Sequence, residues 1–150
     1  QYRYDSIRVP DSAAERAALD DLLAAFATFL SSKAILALLE QVTGTSGLGF
    51  ADAQATRYLT GDFLTGHDDD VPGKNRHAAY VLGLTPGWRA EWGGLLLFHR
   101  GPDGIAEGYV PGFNTLSLFA VPQPHSVSLV APFAGRTRLS ITGWLRSGHP

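Results

Sequence analysis

Hydrophobic positions follow two rhythms along this chain, and the change between them divides it near residue 50. In the first part Leu19, Leu22, Leu23, Phe26, Phe29 and Leu30 recur at intervals of three and four, the spacing of one apolar helix stripe. Ser12 and Glu15 have capping-box spacing, which predicts a helix start just ahead of that stripe. Ser31 and Ser32 interrupt it. Ile35, Leu36, Leu38, Leu39 and Val42 then predict a second helix that stops before Gly44, since glycine takes the left-handed conformation that ends helices. An apolar stripe must pack on something, so these helices read as scaffold.

From about Ala51 the texture changes to short apolar or β-branched runs separated by Gly, Pro, Asn and Asp, which predicts strands and turns. Strands are expected near 53–60, 77–84, 94–99, 105–110, 115–119, 125–130 and 137–145. Roughly seven or eight such strands suit a double-sheet jelly roll. The expected class is α+β, mainly β: a double-stranded β-helix (jelly roll) with N-terminal helices packed on one sheet. Tyr80 to Leu84 and Leu95 to Phe98 are almost continuously apolar, as in strands whose outer face is covered by those helices. With no repeat or low-complexity tract, the chain is read as one domain over 1–150, with 1–50 as helical support and 51–146 as the jelly-roll core.

Composition narrows the picture. A chain of 150 residues with 45% hydrophobic positions suits one domain with a real core. A net charge of -2 with scattered Lys and Arg gives no basic field for nucleic acid, so no direct nucleic-acid partner is expected. The absence of cysteine excludes disulfides, thiolate metal sites and a cysteine nucleophile; His, Asp and Glu remain as strong metal ligands, and a cytoplasmic location is the expectation. No apolar run approaches the ~20 residues that span a bilayer, so no membrane partner is expected. The chain starts at Gln1 and contains no Met, which points to a segment upstream, so a missing signal peptide says little.

Candidate chemistry begins in the run GDFLTGHDDD, Gly61 to Asp70. His67 and Asp69 are two apart, and in extended backbone such side chains project from the same face. Asp68 then points away and Asp70 is out of phase. Alone, the pair is a weak signal, and a solvated acidic loop is the more ordinary explanation. His125 in PQPHSVSLV and Arg138 in RLSITGW change its weight. Two imidazoles and a carboxylate can hold one face of a ferrous ion, leaving the opposite face for a chelating co-substrate and dioxygen. An arginine nearby can anchor a carboxylate of that co-substrate. If 125–130 and 137–145 form a hairpin centred near residues 132 and 133, Val127 lies opposite Arg138 and His125 opposite Ser140. Arg138 then sits diagonally from His125, ~7 to 8 Å away at the backbone. A centre shifted by one residue turns Arg138 to the other face, and Arg136 raises the same question.

The segments GDFLTGHDDD, RHAAYVLGLTPGWRAEWGG, FNTLSLFAVPQPHSV and RLSITGWL, in this order, resemble the iron and 2-oxoglutarate dependent dioxygenases. Within them the chain is most similar to the prolyl 4-hydroxylase-like branch that includes the prolyl hydroxylases of ribosomal protein, from about Asp52 to Arg146. The resemblance implies iron ligands at His67, Asp69 and His125, and Arg138, which precedes a short stretch ending in Trp144, as partner of the distal carboxylate of 2-oxoglutarate. It favours Arg138 over Arg136 and implies Tyr58 in the co-substrate pocket, where its phenol can donate to a carboxylate or merely pack.

The implied activity is hydroxylation of an unactivated C–H bond of a prolyl residue in a protein or peptide. Dioxygen is consumed, succinate and CO2 are co-products, and ascorbate supports turnover. Asp69, as an intact carboxylate, argues against a halogenase, in which a small residue frees a site for halide. Gly93 and Gly94 match the family's paired glycines before a strand, and Asn114 falls on a recurrent family position. His77, His99 and His149 are read as structural or exposed, and Trp88, Arg89 and Trp92 as a loop near the barrel mouth that touches substrate or packs beneath it. The alternatives are a hydroxylase of a free amino acid or small metabolite, a non-catalytic cupin-like metal-binding module, an interaction module that has lost catalysis, and a zinc hydrolase, for which no general base stands beside the ligands.

Overall fold

The helical third breaks more often than its apolar stripe suggests. The computed structural model describes residues 1–150, and its helices are α1 (Ala13–Ala17), α2 (Leu22–Leu30) and α3 (Lys33–Thr43). Ser12 caps α1, its hydroxyl accepting from the Glu15 N–H at 3.5 Å. The chain leaves the helix after Ala17 and restarts where Asp21 accepts from the Ala24 N–H at 2.7 Å. A second cap overrides the continuous stripe, so the single first helix expected from Ser12 to Leu30 is two. Gly44, at φ 69°, ends α3 where the sequence predicted.

Eleven strands follow the order β1 (Tyr2–Arg3), β2 (Asp5–Arg8), β3 (Leu48–Ala51), β4 (Gln54–Tyr58), β5 (Phe63–His67), β6 (Arg76–Gly83), β7 (Leu96–His99), β8 (Ile105–Tyr109), β9 (Thr115–Ala120), β10 (His125–Val127) and β11 (Arg138–Ser147). All seven expected strands are present. The assignment of 1–50 to helical support needs correction, because β1, β2 and most of β3 lie inside it and belong to the sheets. β1 and β2 are short and exposed, so they lack the apolar run that marks a strand in sequence, and β3 is only four residues long.

Two antiparallel sheets result: β1-β5-β10-β7-β8, and β2-β4-β11-β6-β9 with β3 added beside β11. This is the jelly roll. The helices pack on the outside of the six-stranded sheet, where Ala24, Ala27, Leu30 and Leu39 meet Ala78, Tyr80, Ile141 and Leu145. Tyr80 to Leu84 are therefore apolar for the predicted reason. Leu95 to Phe98 are not, because β7 lies in the other sheet; Leu96 faces the barrel interior instead. Arg16 fastens the helical layer, donating to the carbonyls of Pro10 at 2.6 Å, Ala27 at 3.1 Å and Ala51 at 2.9 Å. No single helix is long and apolar enough to cross a membrane.

The expected hairpin between His125 and Arg138 does not form. β10 pairs with β5 and β7, whereas β11 pairs with β4, β6 and β3 in the opposite sheet. Residues between them cross from one sheet to the other, tied by Val130 N–H to the Asp62 carbonyl at 3.0 Å and Ala131 N–H to the Trp92 carbonyl at 2.8 Å. His125 and Arg138 thus approach the same interior from facing sheets, not as diagonal neighbours on one.

Candidate metal and co-substrate site

Pairing of β5 with β10 places His67 opposite His125, and their ring centroids lie 4.1 Å apart. Asp69 joins them by a route other than the pleat. It lies two residues past the end of β5 and has φ 65°, a left-handed conformation that aspartate tolerates better than most residues. The turn carries its carboxylate back between the imidazoles, 3.3 Å from His67 Nε2 and 3.4 Å from His125 Nε2. The three side chains bring one ligand atom each within 4.8 Å of one another. The expected residues do come together, but through a left-handed turn and not through same-face projection in an extended strand.

Each ring is held from behind. His67 Nδ1 lies 3.0 Å from the Thr65 carbonyl and His125 Nδ1 2.7 Å from the Gln123 carbonyl, so each Nδ1–H donates to backbone and each Nε2 is directed at Asp69. This is the arrangement that fixes a histidine tautomer for metal ligation. Burial pulls the His67 pKa down, but the Asp69 carboxylate and the Thr65 carbonyl outweigh it, and the net shift is upward. For His125 burial prevails over the Gln123 carbonyl and Asp69, and the shift is downward. Burial pushes Asp69 up; the opposing His67, Trp144 and His125 win, and its carboxyl sits below the usual range.

The trio opens into a cavity of about 230 Å3 between the sheets. Arg138 enters the same cavity from β11 and is only 2% exposed. Its Nη1 donates to Ser140 Oγ at 3.2 Å, its guanidinium lies 4.8 Å from the Tyr58 ring centroid, and its Nε has no hydrogen-bond partner. Burial lowers its pKa from the ordinary value, against the influence of Tyr58, yet a guanidinium stays charged. A buried cation without a carboxylate is costly, and an anionic ligand end would relieve that cost. The residues therefore fit the groups that the resemblance implies: neutral nitrogen and carboxylate donors for a ferrous ion, and an unpaired guanidinium for a dicarboxylate.

Tyr58 pairs with Arg138 across β4 and β11, lines the cavity and is buried, which raises its pKa and keeps the phenol a neutral donor. Gly94, at φ 63°, would bring a Cβ within 3.1 Å of Arg138 Cδ, and a Cβ on Gly93 would meet the Leu129 carbonyl at 2.0 Å, so the paired glycines allow two close approaches. Trp88 packs beneath its loop, donating to the Gly93 carbonyl at 2.9 Å and meeting Trp92 edge to face; Arg89 is exposed and pairs with Glu91. Asn114 holds a left-handed turn at φ 53°. His99 bonds Ser126 Oγ at 2.8 Å, outside the ligand trio, and His149 is exposed. His77 Nε2 is buried without a partner. Arg136 does not line the cavity.

Three further residues line the cavity without having been expected there. Tyr4, between β1 and β2, stacks on Tyr58 at 4.7 Å; the alternation of Tyr2 and Tyr4 with polar residues was its signal. Arg76 donates to the Asp69 carbonyl at 3.0 Å and lies 3.5 Å over the Trp144 ring. The Trp144 indole N–H lowers the Asp69 pKa without reaching a full hydrogen bond. No local pattern marks these two, because separate strands bring them together.

The family model for the 2OG-Fe(II) oxygenase superfamily matches residues 53–146, and the chain belongs to that superfamily, an oxidoreductase class whose members use Fe(II) and 2-oxoglutarate. Prolyl 3-hydroxylase OGFOD1 of Mus musculus is 35% identical over 115 residues, covering 72% of this chain and 21% of that protein. The chain thus spans about a fifth of the length of this curated relative. Among solved structures, a Pseudomonas putida prolyl-4-hydroxylase matches with a TM-score of 0.74 and 24% identity, over 98% of this chain and 73% of that one. A Trichoplax adhaerens prolyl hydroxylase in complex with a hypoxia inducible factor oxygen degradation domain peptide fragment matches with a TM-score of 0.64 and 22% identity, over 85% and 59% respectively. These likenesses establish the fold.

Proposed function

We propose that this chain hydroxylates a prolyl residue of a protein or peptide, with His67, Asp69 and His125 as the iron ligands and Arg138, aided by Tyr58, as the anchor of 2-oxoglutarate. The carrying observation is the buried, carboxylate-free Arg138 guanidinium in the same cavity as the two histidines and Asp69. When bound, iron and 2-oxoglutarate supply the oxidation: dioxygen is consumed, 2-oxoglutarate leaves as succinate and CO2, and a C–H bond becomes C–OH.

The chain's own groups position and insulate. Thr65 and Gln123 carbonyls hold the imidazoles with Nε2 forward, and Asp69 supplies one negative charge to a cation. Arg138 and Tyr58 would hold the far carboxylate of the co-substrate in the cavity that they share with His67, Asp69 and His125. Leu64, Leu96 and Val127 keep the cavity walls apolar and exclude water. A prolyl substrate is supported by the names of the relatives, a prolyl 3-hydroxylase and prolyl-4-hydroxylases. Ascorbate is expected to sustain turnover by re-reducing oxidised iron. A cupin-like module that only binds metal has no use for Arg138.

The test is anaerobic reconstitution with Fe(II), then exposure to oxygen and 2-oxoglutarate with a panel of proline-containing peptides while succinate is followed. Wild type should form succinate and add one oxygen atom to a peptide, with the ring carbon read by NMR, and Asp69→Ala should do neither. No succinate under any condition, with wild type indistinguishable from Asp69→Ala, defeats the proposal.

A further inference from the structure

Beside the metal site the barrel ends in two free edges. β8 closes the five-stranded sheet and pairs only with β7; β9 closes the six-stranded sheet and pairs only with β6. Each edge therefore leaves one row of backbone N–H and C=O groups without a strand partner. Neither IAEGY nor TLSLFA contains the Lys or Pro that commonly blocks such edges, and Ile105, Tyr109 and Leu116 are exposed along them.

A groove of about 620 Å3 runs between the two edges, with Phe98, Tyr109, Leu116 and Phe119 among its walls. Glu107 is its only charged lining residue, accepting from the Tyr109 hydroxyl. The groove adjoins the metal cavity across Phe119, whose side chain lines both, and the Phe119 ring centroid lies 4.7 Å from that of His125. Phe98 stands against Phe119 at 5.1 Å and completes the partition.

We propose that this groove receives an extended stretch of the substrate polypeptide next to the target residue, adding along a free edge, with apolar side chains at alternate positions and a basic side chain facing Glu107. The inference rests on the reading of the chain as a hydroxylase of polypeptides. Backbone pairing with a sheet edge supplies affinity without sequence demand, the apolar walls select every second side chain, and one carboxylate selects charge. Its position next to Phe119 lets the target residue enter the metal cavity while its neighbours stay outside.

Two variants test it, Leu116→Asp and Glu107→Lys, both outside the metal cavity. Turnover is measured on a proline tripeptide, on the same sequence extended by about six residues on each side with apolar residues and one Lys, and on that extended peptide with Lys replaced by Glu. Wild type should bind the extended Lys peptide with a KM roughly tenfold below that of the tripeptide. Leu116→Asp should raise KM for the extended peptide about tenfold and leave tripeptide kinetics unchanged. Glu107→Lys should reverse the preference between the Lys and Glu peptides. Extended-peptide kinetics unchanged in both variants, or equal losses on tripeptide and extended peptide, overturn the groove and leave the hydroxylase reading standing. No turnover of any peptide by wild type removes both.

Discussion

The two faces of β11 make opposite use of one strand. Outward, Ile141 and Leu145 are sealed under α2 and α3 in a dry cluster with Leu30, Leu39 and Tyr80. Inward, Arg138, Thr142 and Trp144 face the metal cavity, and Ser140 shares a 2.7 Å hydrogen bond with Thr56. A typical sandwich buries apolar side chains between its sheets and polar ones outside. Here the helices allow the exchange: they cover the outer face, so stability can reside there and the interior can hold a charge and a ligand.

That contrast makes separable predictions. Leu145→Ala should act on stability alone, costing about 3 kcal/mol because a fully buried leucine leaves a cavity in the helix-covered layer. Chemical denaturation measures this, and KM for 2-oxoglutarate per folded enzyme should not change. A large change in KM would mean that the outer face is not merely support. Arg138→Met should give the mirror image: KM for 2-oxoglutarate rises roughly hundredfold, equivalent to about 2.7 kcal/mol, while Fe(II) affinity holds. Its melting temperature should stay level or rise, since an unpaired buried charge has been removed. Loss of iron and 2-oxoglutarate binding together would place Arg138 in the framework.

Asp52 sets the smallest expected effect and tests the border between the faces. Its Oδ1 accepts from Trp144 N–H at 2.8 Å, and its Oδ2 lies 3.4 Å from Arg146 Nη1. Burial raises its pKa, against the Trp144 N–H and the arginines. An acid whose folded pKa lies above its unfolded one binds its proton more tightly when folded. Stability is therefore lost as pH rises from the ordinary carboxylate range through the raised value. Asp52→Asn keeps an oxygen for Trp144 and should remove that slope, changing stability at its upper end by about 1 kcal/mol or less. A slope identical to wild type in thermal melts across this window assigns it to another group.

Much of the site was legible because its chemistry depends on residue type and order. Residue type, order and the family resemblance single out His67, Asp69, His125 and Arg138, and the fold brings all four to one cavity. Their local conformations were not legible. Asp69 reaches the imidazoles through a left-handed turn, and a one-residue change in backbone conformation leaves no mark in an acidic run. The His125 to Arg138 hairpin failed for a related reason. Ala131 to Gly135 has turn composition, but whether a turn returns to its own sheet or crosses to the facing one depends on partners such as Asp62 and Trp92, distant in sequence.

Residue chemistry and hydrophobic period determined the helical scaffold and the mainly β core, and with the ordered motifs of a family resemblance they singled out four side chains able to hold a metal and a dicarboxylate. Those properties are local, since spacing and side-chain type travel with the chain. Tertiary structure decided that His67 faces His125 across paired strands, that Tyr4, Arg76 and Trp144 join the cavity, and that β8 and β9 leave a groove beside it. Such juxtapositions depend on which long-range strand pairs and packed layers are the most stable, a choice the whole chain makes together.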